Sequence, residues 1–372
     1  TAHPAPIMNR SSLPAILAAL VLFAPLAPAA PAGKRIALIG NSLGALMEEY
    51  GHFETELQRR YPDQQLVIRN LCAPGFTPVF RPHPSRKSQW AVPGGEQIRP
   101  EFNKHAGIGH FPTDDEWLRI VKADVIVAFF GFNESFDGPE GLEKFRAELE
   151  AFIEHTKGQN YNGSAPAKLH LVSPIAFQDL SSKLDLPDGR AENENLALYT
   201  GAMKEVCAEH EVAFVDLFAP TSKWFSESDS PLTVNGAHLT DSGYGKLAPL
   251  LADLLFGQAT PKGDPAPVHA AVQDKNWFWF NDYRMLNGVH SYGRRWKPFG
   301  DKNYPEEIEK LRELTAVRDQ AIWAALAAQR FDLGTADAAT RKLTPVSTNA
   351  EGRRKNEYLE GDDALDKFTL PE

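Results

Sequence analysis

The chain has 372 residues, with 39 Lys+Arg against 49 Asp+Glu, a formal net charge of −10, 42% hydrophobic residues and 24% charged ones. This is an ordinary globular composition, and the chain is long enough to bury a core without leaning on disulfides or metals. The acidic balance excludes broad binding to a phosphate backbone, so no nucleic-acid partner is expected, and 28 Pro with 27 Gly are too few for a collagen-like or low-complexity chain.

Residues 1–32 read as an address. Arg10 is the charged side chain there, and Met8-Asn9-Arg10 leads into the apolar run Leu13 to Phe23. Ala27-Pro28-Ala29 follows as a small-residue cleavage pattern. A positive start, a short apolar run and small residues describe a secretory signal peptide. Pro25 and Pro28 interrupt the run well short of the roughly 20 apolar residues of a spanning helix. A secreted or periplasmic protein is therefore expected, with no stable membrane insertion after cleavage.

Ile36-Ala37-Leu38-Ile39-Gly40 reads as a buried parallel strand. Leu43 to Tyr61 then has helical spacing, at Leu46, Met47, Tyr50, Phe53 and Leu57. Leu66-Val67-Ile68 is a second strand, and Asp124 to Gly131 a third. Residues 140–156 form an amphipathic helix through Leu142, Phe145, Leu149 and Phe152. Lys168 to Val172 is a fourth strand, Asn193 to His210 a helix, Val212 to Asp216 a fifth strand, and Asp241 to Phe256 a helix. Alternation at this spacing implies an α/β fold, a five-stranded parallel sheet covered on both faces. Ligands then bind beyond the C-terminal strand ends. Residues 33–256 form this domain.

Residues 257–275, with Pro261, Gly263, Pro265 and Pro267, are expected to be a linker. Residues 276–330 form an aromatic-rich extension, with Trp277, Phe278, Trp279 and Phe280 at its start and a long helix from Pro305 to Arg330. It packs on the sheet domain, or it walls the cleft. In the second case Tyr292, Arg294 and Arg295 are candidate substrate-binding residues, since aromatic faces suit sugar rings and Arg pairs with anions. Residues 331–372 are a polar tail. Cys72 and Cys207 are expected to be two separate buried thiols. His105 and His110 have no third ligand at metal spacing, so neither metal nor cofactor is expected.

Four short segments carry chemistry. Gly40-Asn41-Ser42-Leu43 places a Ser at a strand-to-helix turn, where its hydroxyl is exposed and helix N–H groups favour an anion; Ser is equally a common N-cap. Asn70 to Gly75 follows the second strand, and Gly75 can bring its N–H to a substrate oxygen or merely serve a turn. Gly131-Phe132-Asn133-Glu134 follows the third strand, where the Asn133 amide can stabilise an oxyanion or make local turn bonds. Asn235-Gly236-Ala237-His238 precedes the last helix of the domain, and His238 can act as base to Ser42 if the fold joins them.

In order and placement these segments resemble the blocks of the SGNH hydrolase superfamily, the GDSL esterases, over about residues 34–256. The resemblance implies a three-layer α/β/α sandwich. It also implies a serine esterase in which Ser42 attacks an acyl carbonyl, His238 moves the proton, and Ser42, Gly75 and Asn133 hold the oxyanion. Two positions depart from the family pattern. The usual Asp before the nucleophile is Asn41, and the usual Asp that orients the imidazole is Asn235. An amide cannot neutralise an imidazolium and can favour the wrong tautomer; Asp-to-Asn costs about 10⁴ in kcat in a serine triad elsewhere. A backbone carbonyl accepting from His238, giving a Ser–His dyad, is the expected repair; Glu134 or Asp241 as substitute carboxylate is the alternative. The expected substrate is a small-molecule or polysaccharide ester, with acetyl on a carbohydrate as the leading case. A carbohydrate-binding SGNH-like protein with weak or lost turnover is the second reading, and a lipase or lysophospholipase the third.

Overall fold

A computed structural model of the chain describes residues 1, 31, 33–102, 107–228, 230–285, 287–297 and 300–345. The leader expected at 1–32 and most of the polar tail lie outside the described residues, as does His105. In chain order the elements begin β1 (Arg35–Gly40), α1 (Ser42–Tyr50), α2 (His52–Arg60), β2 (Val67–Cys72), α3 (Gly95–Ile98), α4 (Asp114–Val121) and β3 (Val125–Phe129). There follow α5 (Leu142–Lys157), β4 (Lys168–Val172), α6 (Arg190–Glu209), β5 (Ala213–Val215), α7 (Phe218–Glu227) and α8 (Asp241–Phe256). The extension adds α9 (Pro265–Tyr283), α10 (Gly288–Ser291), α11 (Gly300–Leu326) and α12 (Leu333–Ala338).

The five strands make one sheet in the order β2-β1-β3-β4-β5, every pair parallel. Side chains alternate across each strand. Ile36 and Leu38 face Met47, Phe53, Leu57 and Leu247 of α1, α2 and α8. Ala37 and Ile39 face the opposite core, with Trp117 of α4, Leu149 of α5 and Val206 of α6. The result is the three-layer α/β/α sandwich expected. Its strand order reverses at β1, so the crevice for a ligand lies between the ends of β1 and its neighbours.

The apolar period from Leu43 to Tyr61 is not one helix. Gly51 adopts φ +68° and separates α1 from α2. The long helix of the extension starts at Gly300, ahead of Pro305. Of the expected linker 257–275, residues 265–275 are helical, because Asp264 caps α9 through the Ala266 N–H and Pro265 occupies its first turn. Cys72 and Cys207 are free and buried, one in each core.

The extension covers the edge of the sheet. β2 is an edge strand, and its outward carbonyls would face water or another chain. Side chains of the extension donate to them instead. Lys275 Nζ bonds the Ile68 carbonyl at 3.1 Å, Trp279 Nε1 that of Asn70 at 2.7 Å, and Trp323 Nε1 that of Leu66 at 3.3 Å. Tyr283 adds a bond to the Leu71 carbonyl at 2.8 Å. Lys275, Trp279 and Tyr283 are spaced i, i+4, i+8, so one face of α9 runs along the strand. Buried ion pairs lock the contact: Lys275 to Glu54 at 2.6 Å and Arg69 to Asp319 in a two-pronged pair at 2.5 and 3.0 Å.

Candidate active site

The turn that carries Ser42 is fixed by the sheet. Asn41 N–H donates to the Phe129 carbonyl at 3.1 Å, and Ala73 N–H to the Gly40 carbonyl at 2.8 Å, so the ends of β1, β2 and β3 are stitched together. Gly40 has φ +121°, and a Cβ there would lie 2.1 Å from the Phe129 carbonyl oxygen. Only glycine fits that approach. Asn41, not Ser42, is the N-cap of α1, its Oδ1 accepting from Leu43 N–H at 3.2 Å. Asn41 therefore takes the capping role that Ser42 could have filled. Among the described residues the Ser42 hydroxyl has no hydrogen-bond partner. Ser42 is 9% exposed and lines a cavity of about 10 Å³ with Phe130, Phe132, Pro174 and Ala237.

Gly75 follows β2 at φ +81°, with open space where a Cβ would be. Its neighbour Phe76 accepts a hydrogen bond from Asn133 Nδ2 at 2.8 Å. This bond ties the Gly75 loop to the turn after β3 and leaves the second Asn133 amide hydrogen free to donate. The same turn is held by Glu134, whose Oε2 accepts from Gly131 N–H at 2.8 Å. Burial, and then the nearby Glu148 carboxylate, push the Glu134 pKa up. Glu134 thus serves the turn and does not contact His238. Asp241, the other candidate carboxylate, pairs with His52 Nε2 at 2.7 Å. Neither expected substitute partners the imidazole.

The acceptor for His238 is Asn235 itself. His238 Nδ1 lies 3.1 Å from Asn235 Oδ1, which also accepts from the backbone N–H of Ala237 at 3.2 Å and of His238 at 3.0 Å. Two backbone donors aimed at one amide atom identify it as the oxygen. An oxygen facing Nδ1 makes that nitrogen the proton carrier and leaves Nε2 with a lone pair. The amide therefore selects the tautomer that a general base needs, which corrects the expectation that a backbone carbonyl would orient the ring. Among the described residues no carboxylate pairs with the ring, and burial lowers the His238 pKa.

His238 sits in a loop built by side chains. Thr233 and Leu239 form an isolated antiparallel bridge, and Val234 N–H bonds the His238 carbonyl at 2.8 Å. Gln178 Oε1 accepts from Leu232 N–H, Thr233 N–H and the Thr233 hydroxyl at 3.0, 2.9 and 2.9 Å. The loop returns to α1, the Ser42 helix, through Tyr244 of α8, whose hydroxyl donates to the Leu43 carbonyl at 2.9 Å. Gln178 and Tyr244 are supports that sequence reasoning missed; a Tyr six residues after the His, inside an expected apolar helix, was the available signal for the second.

Ser42 and His238 reach one rim. Ala237 and Phe132 line the Ser42 cavity and also a neighbouring apolar cavity of about 460 Å³ that His238 and Asn235 line. Among the described residues no hydrogen bond joins the Ser42 hydroxyl to His238. Bonds of this kind are often long before substrate binds. Tyr292, Arg294 and Arg295 line neither cavity. Tyr292 is buried edge-on against Phe111, with ring centroids 5.2 Å apart, so it is core and not a substrate contact. No group of His, Cys, Asp and Glu among the described residues has the arrangement of a metal site.

The family model of the GDSL-like lipase/acylhydrolases matches residues 38–246, more than half of the chain. The chain belongs to the GDSL-like lipase/acylhydrolase family. The match includes the Ser42, Gly75, Asn133 and His238 segments and stops before the extension. Among solved structures, an acetyl-xylooligosaccharide esterase from Geobacillus stearothermophilus is 17% identical, with a TM-score of 0.42 over 63% of this chain and 99% of that one. The lipase/acylhydrolase from Enterococcus faecalis is 19% identical, with a TM-score of 0.38 over 62% and 100%. A gut microbial diltiazem-metabolizing enzyme is 14% identical, with a TM-score of 0.43 over 60% of this chain, which spans about half of that one (47%). No curated protein matches the chain.

Proposed function

We propose that this acylhydrolase-family protein is an exported serine esterase that removes a small acyl group, acetyl in the leading case, from a carbohydrate. The observation that carries the reading is the bond from His238 Nδ1 to Asn235 Oδ1, which leaves Nε2 able to take a proton. In the proposed mechanism Nε2 withdraws the Ser42 hydroxyl proton as the oxygen attacks the acyl carbonyl. The tetrahedral oxyanion is held by N–H groups of Ser42 and Gly75 and by the free Asn133 amide hydrogen. The carbonyl re-forms as the sugar hydroxyl departs with the proton from His238. Water then attacks the acyl-enzyme by the reverse exchange, releasing the carboxylic acid and restoring Ser42.

Cavity sizes favour a small acyl group. The space directly at Ser42 is about 10 Å³, comparable to the room for a single water, which suits a methyl. The larger space beside His238 suits the leaving alcohol, which must take its proton there. Export rests on the charged, apolar and small-residue pattern over residues 8–29. No helix among the described residues is long and apolar enough to cross a membrane.

The test is hydrolysis of p-nitrophenyl esters of rising acyl length and of acetylated polysaccharides, run beside Ser42→Ala. The reading requires acetyl to be the best acyl group and the activity to vanish with the hydroxyl. Equal background in both proteins would leave a binding protein on this scaffold; preference for long chains would make it a lipase.

A further inference from the structure

A third cavity, of about 440 Å³, lies between α1 and α9, where the family domain meets the extension. It shares no lining residue with the cavities at Ser42 and His238 and lies further along α1. Ala45 and Glu49 line it, and they share a helical face with Ser42 at i+3 and i+7, so the groove runs about 4–10 Å along the axis from the nucleophile. Pro74, the residue before Gly75, lines its wall.

The far wall belongs to α9. While Lys275, Trp279 and Tyr283 face the sheet edge, Trp277 and Phe280 lie on another face and stay 60% and 38% exposed. Both line the groove. Burying them against a ligand ring would recover apolar area that the fold leaves wet.

Two polar groups in the groove are unsatisfied. Arg284 lines it, has a buried Nε without a hydrogen-bond partner, and forms no ion pair among the described residues. Glu48 also lines it, with a buried, unpartnered Oε1. Burial raises the Glu48 pKa to about 8, against the opposing pull of Lys275 and Arg284. The remaining carboxylate, Glu49, is exposed to water, where its attraction is screened. Buried polar groups in folded proteins rarely stay unpaired. A stacking platform beside an Arg that forms no ion pair fits a ring with an attached carboxylate.

We propose that this groove binds a sugar ring bearing a carboxylate, with Trp277 against the ring and Arg284 on the acid group, and that the esterase acts on a uronate-containing polysaccharide. The inference rests on the esterase reading for its statement about substrate; the binding itself does not. Titration calorimetry of the whole protein with trigalacturonate and with xylotriose tests it. Trigalacturonate should bind at least about tenfold more tightly, and more weakly as salt rises. Arg284→Met and Trp277→Ala should each weaken it about tenfold, the scale of a charge-assisted bond or a stacked ring. Equal affinity for the two sugars, no binding of trigalacturonate, or a groove filled by solvent only would overturn it, and none of these outcomes needs a variant to fold. Loss of Ser42-dependent p-nitrophenyl acetate hydrolysis would end the esterase reading instead, and leaves the calorimetric result standing.

Discussion

The two halves of the candidate site are held in different ways. The Ser42 turn is set by backbone: the β1 to β2 and β1 to β3 pairings, the carbonyl of Phe129, and a glycine at position 40 that no side chain can replace. The His238 loop is set by side chains: Gln178 collects three donors, Thr233 Oγ1 accepts from Gly236 N–H at 3.0 Å, and Asn235 accepts three bonds of its own. Backbone pairing survives most substitutions, whereas a side-chain frame fails when one amide is lost. The contrast predicts that removing groups at the sheet rim deletes chemistry from an intact fold, while changes around His238 alter chemistry and stability together.

The largest effect should come from Ser42→Ala, which removes the oxygen proposed to attack; kcat/KM on p-nitrophenyl acetate should fall at least about 10⁴-fold with an unchanged melting temperature. Asn133→Ala should cost about 10²–10³ in kcat, as for loss of one oxyanion donor, and it also releases the tether to Phe76. A rise in KM with kcat unchanged would mean that the amide has no role specific to the transition state. Gln178→Leu leaves two buried backbone N–H groups of the His238 loop unpaired, so stability should drop by about 2–4 kcal/mol and kcat by about tenfold. If denaturation shows the loss of stability but turnover is untouched, the loop does not position the base.

The smallest and sharpest change is Asn235→Asp. His238 can act as base only when neutral, and burial lowers its pKa. The unaltered enzyme should therefore stay active below the ordinary imidazole range of about 6.5 and lose rate only as pH falls through the lowered value. A carboxylate at position 235 would favour the imidazolium, raise that pKa, and move the acid limb of the pH–rate profile upward by about 1–3 units. It should also raise the plateau rate about tenfold, through a stronger bond to the cation formed in the transition state. This is far less than the 10⁴ known for a triad with the wrong tautomer, because the Asn235 oxygen already faces the ring. An unmoved acid limb would show that His238 is not the titrating base.

Much of the fold was legible because its signals are local. A buried parallel strand is an apolar run, an amphipathic helix repeats every three to four residues, and their alternation admits one kind of sheet. Lys168–Val172 and Asp241–Phe256 have the expected bounds for that reason. The split at Gly51 was hidden, since apolar spacing runs across it and a left-handed glycine has no periodicity. The extension was harder. Its aromatics were visible, but Tyr292 as core and Trp277 as groove wall differ only in which way α9, α10 and their neighbours turn.

That a Ser, a Gly, an Asn and a His stand beyond strand ends in the order of an acylhydrolase follows from the residues alone, because strand ends are read from the same short patterns that make the strands. What surrounds them depends on the folded chain. That Asn235 turns its oxygen to the imidazole, that Asp241 goes to His52 and Glu134 to Gly131, and that α9 seals the carbonyls of β2 all depend on the folded arrangement of side chains and backbone. Hydrogen bonds require a donor and an acceptor within about 3 Å and in line. Distance and direction of that kind exist only once the chain has folded.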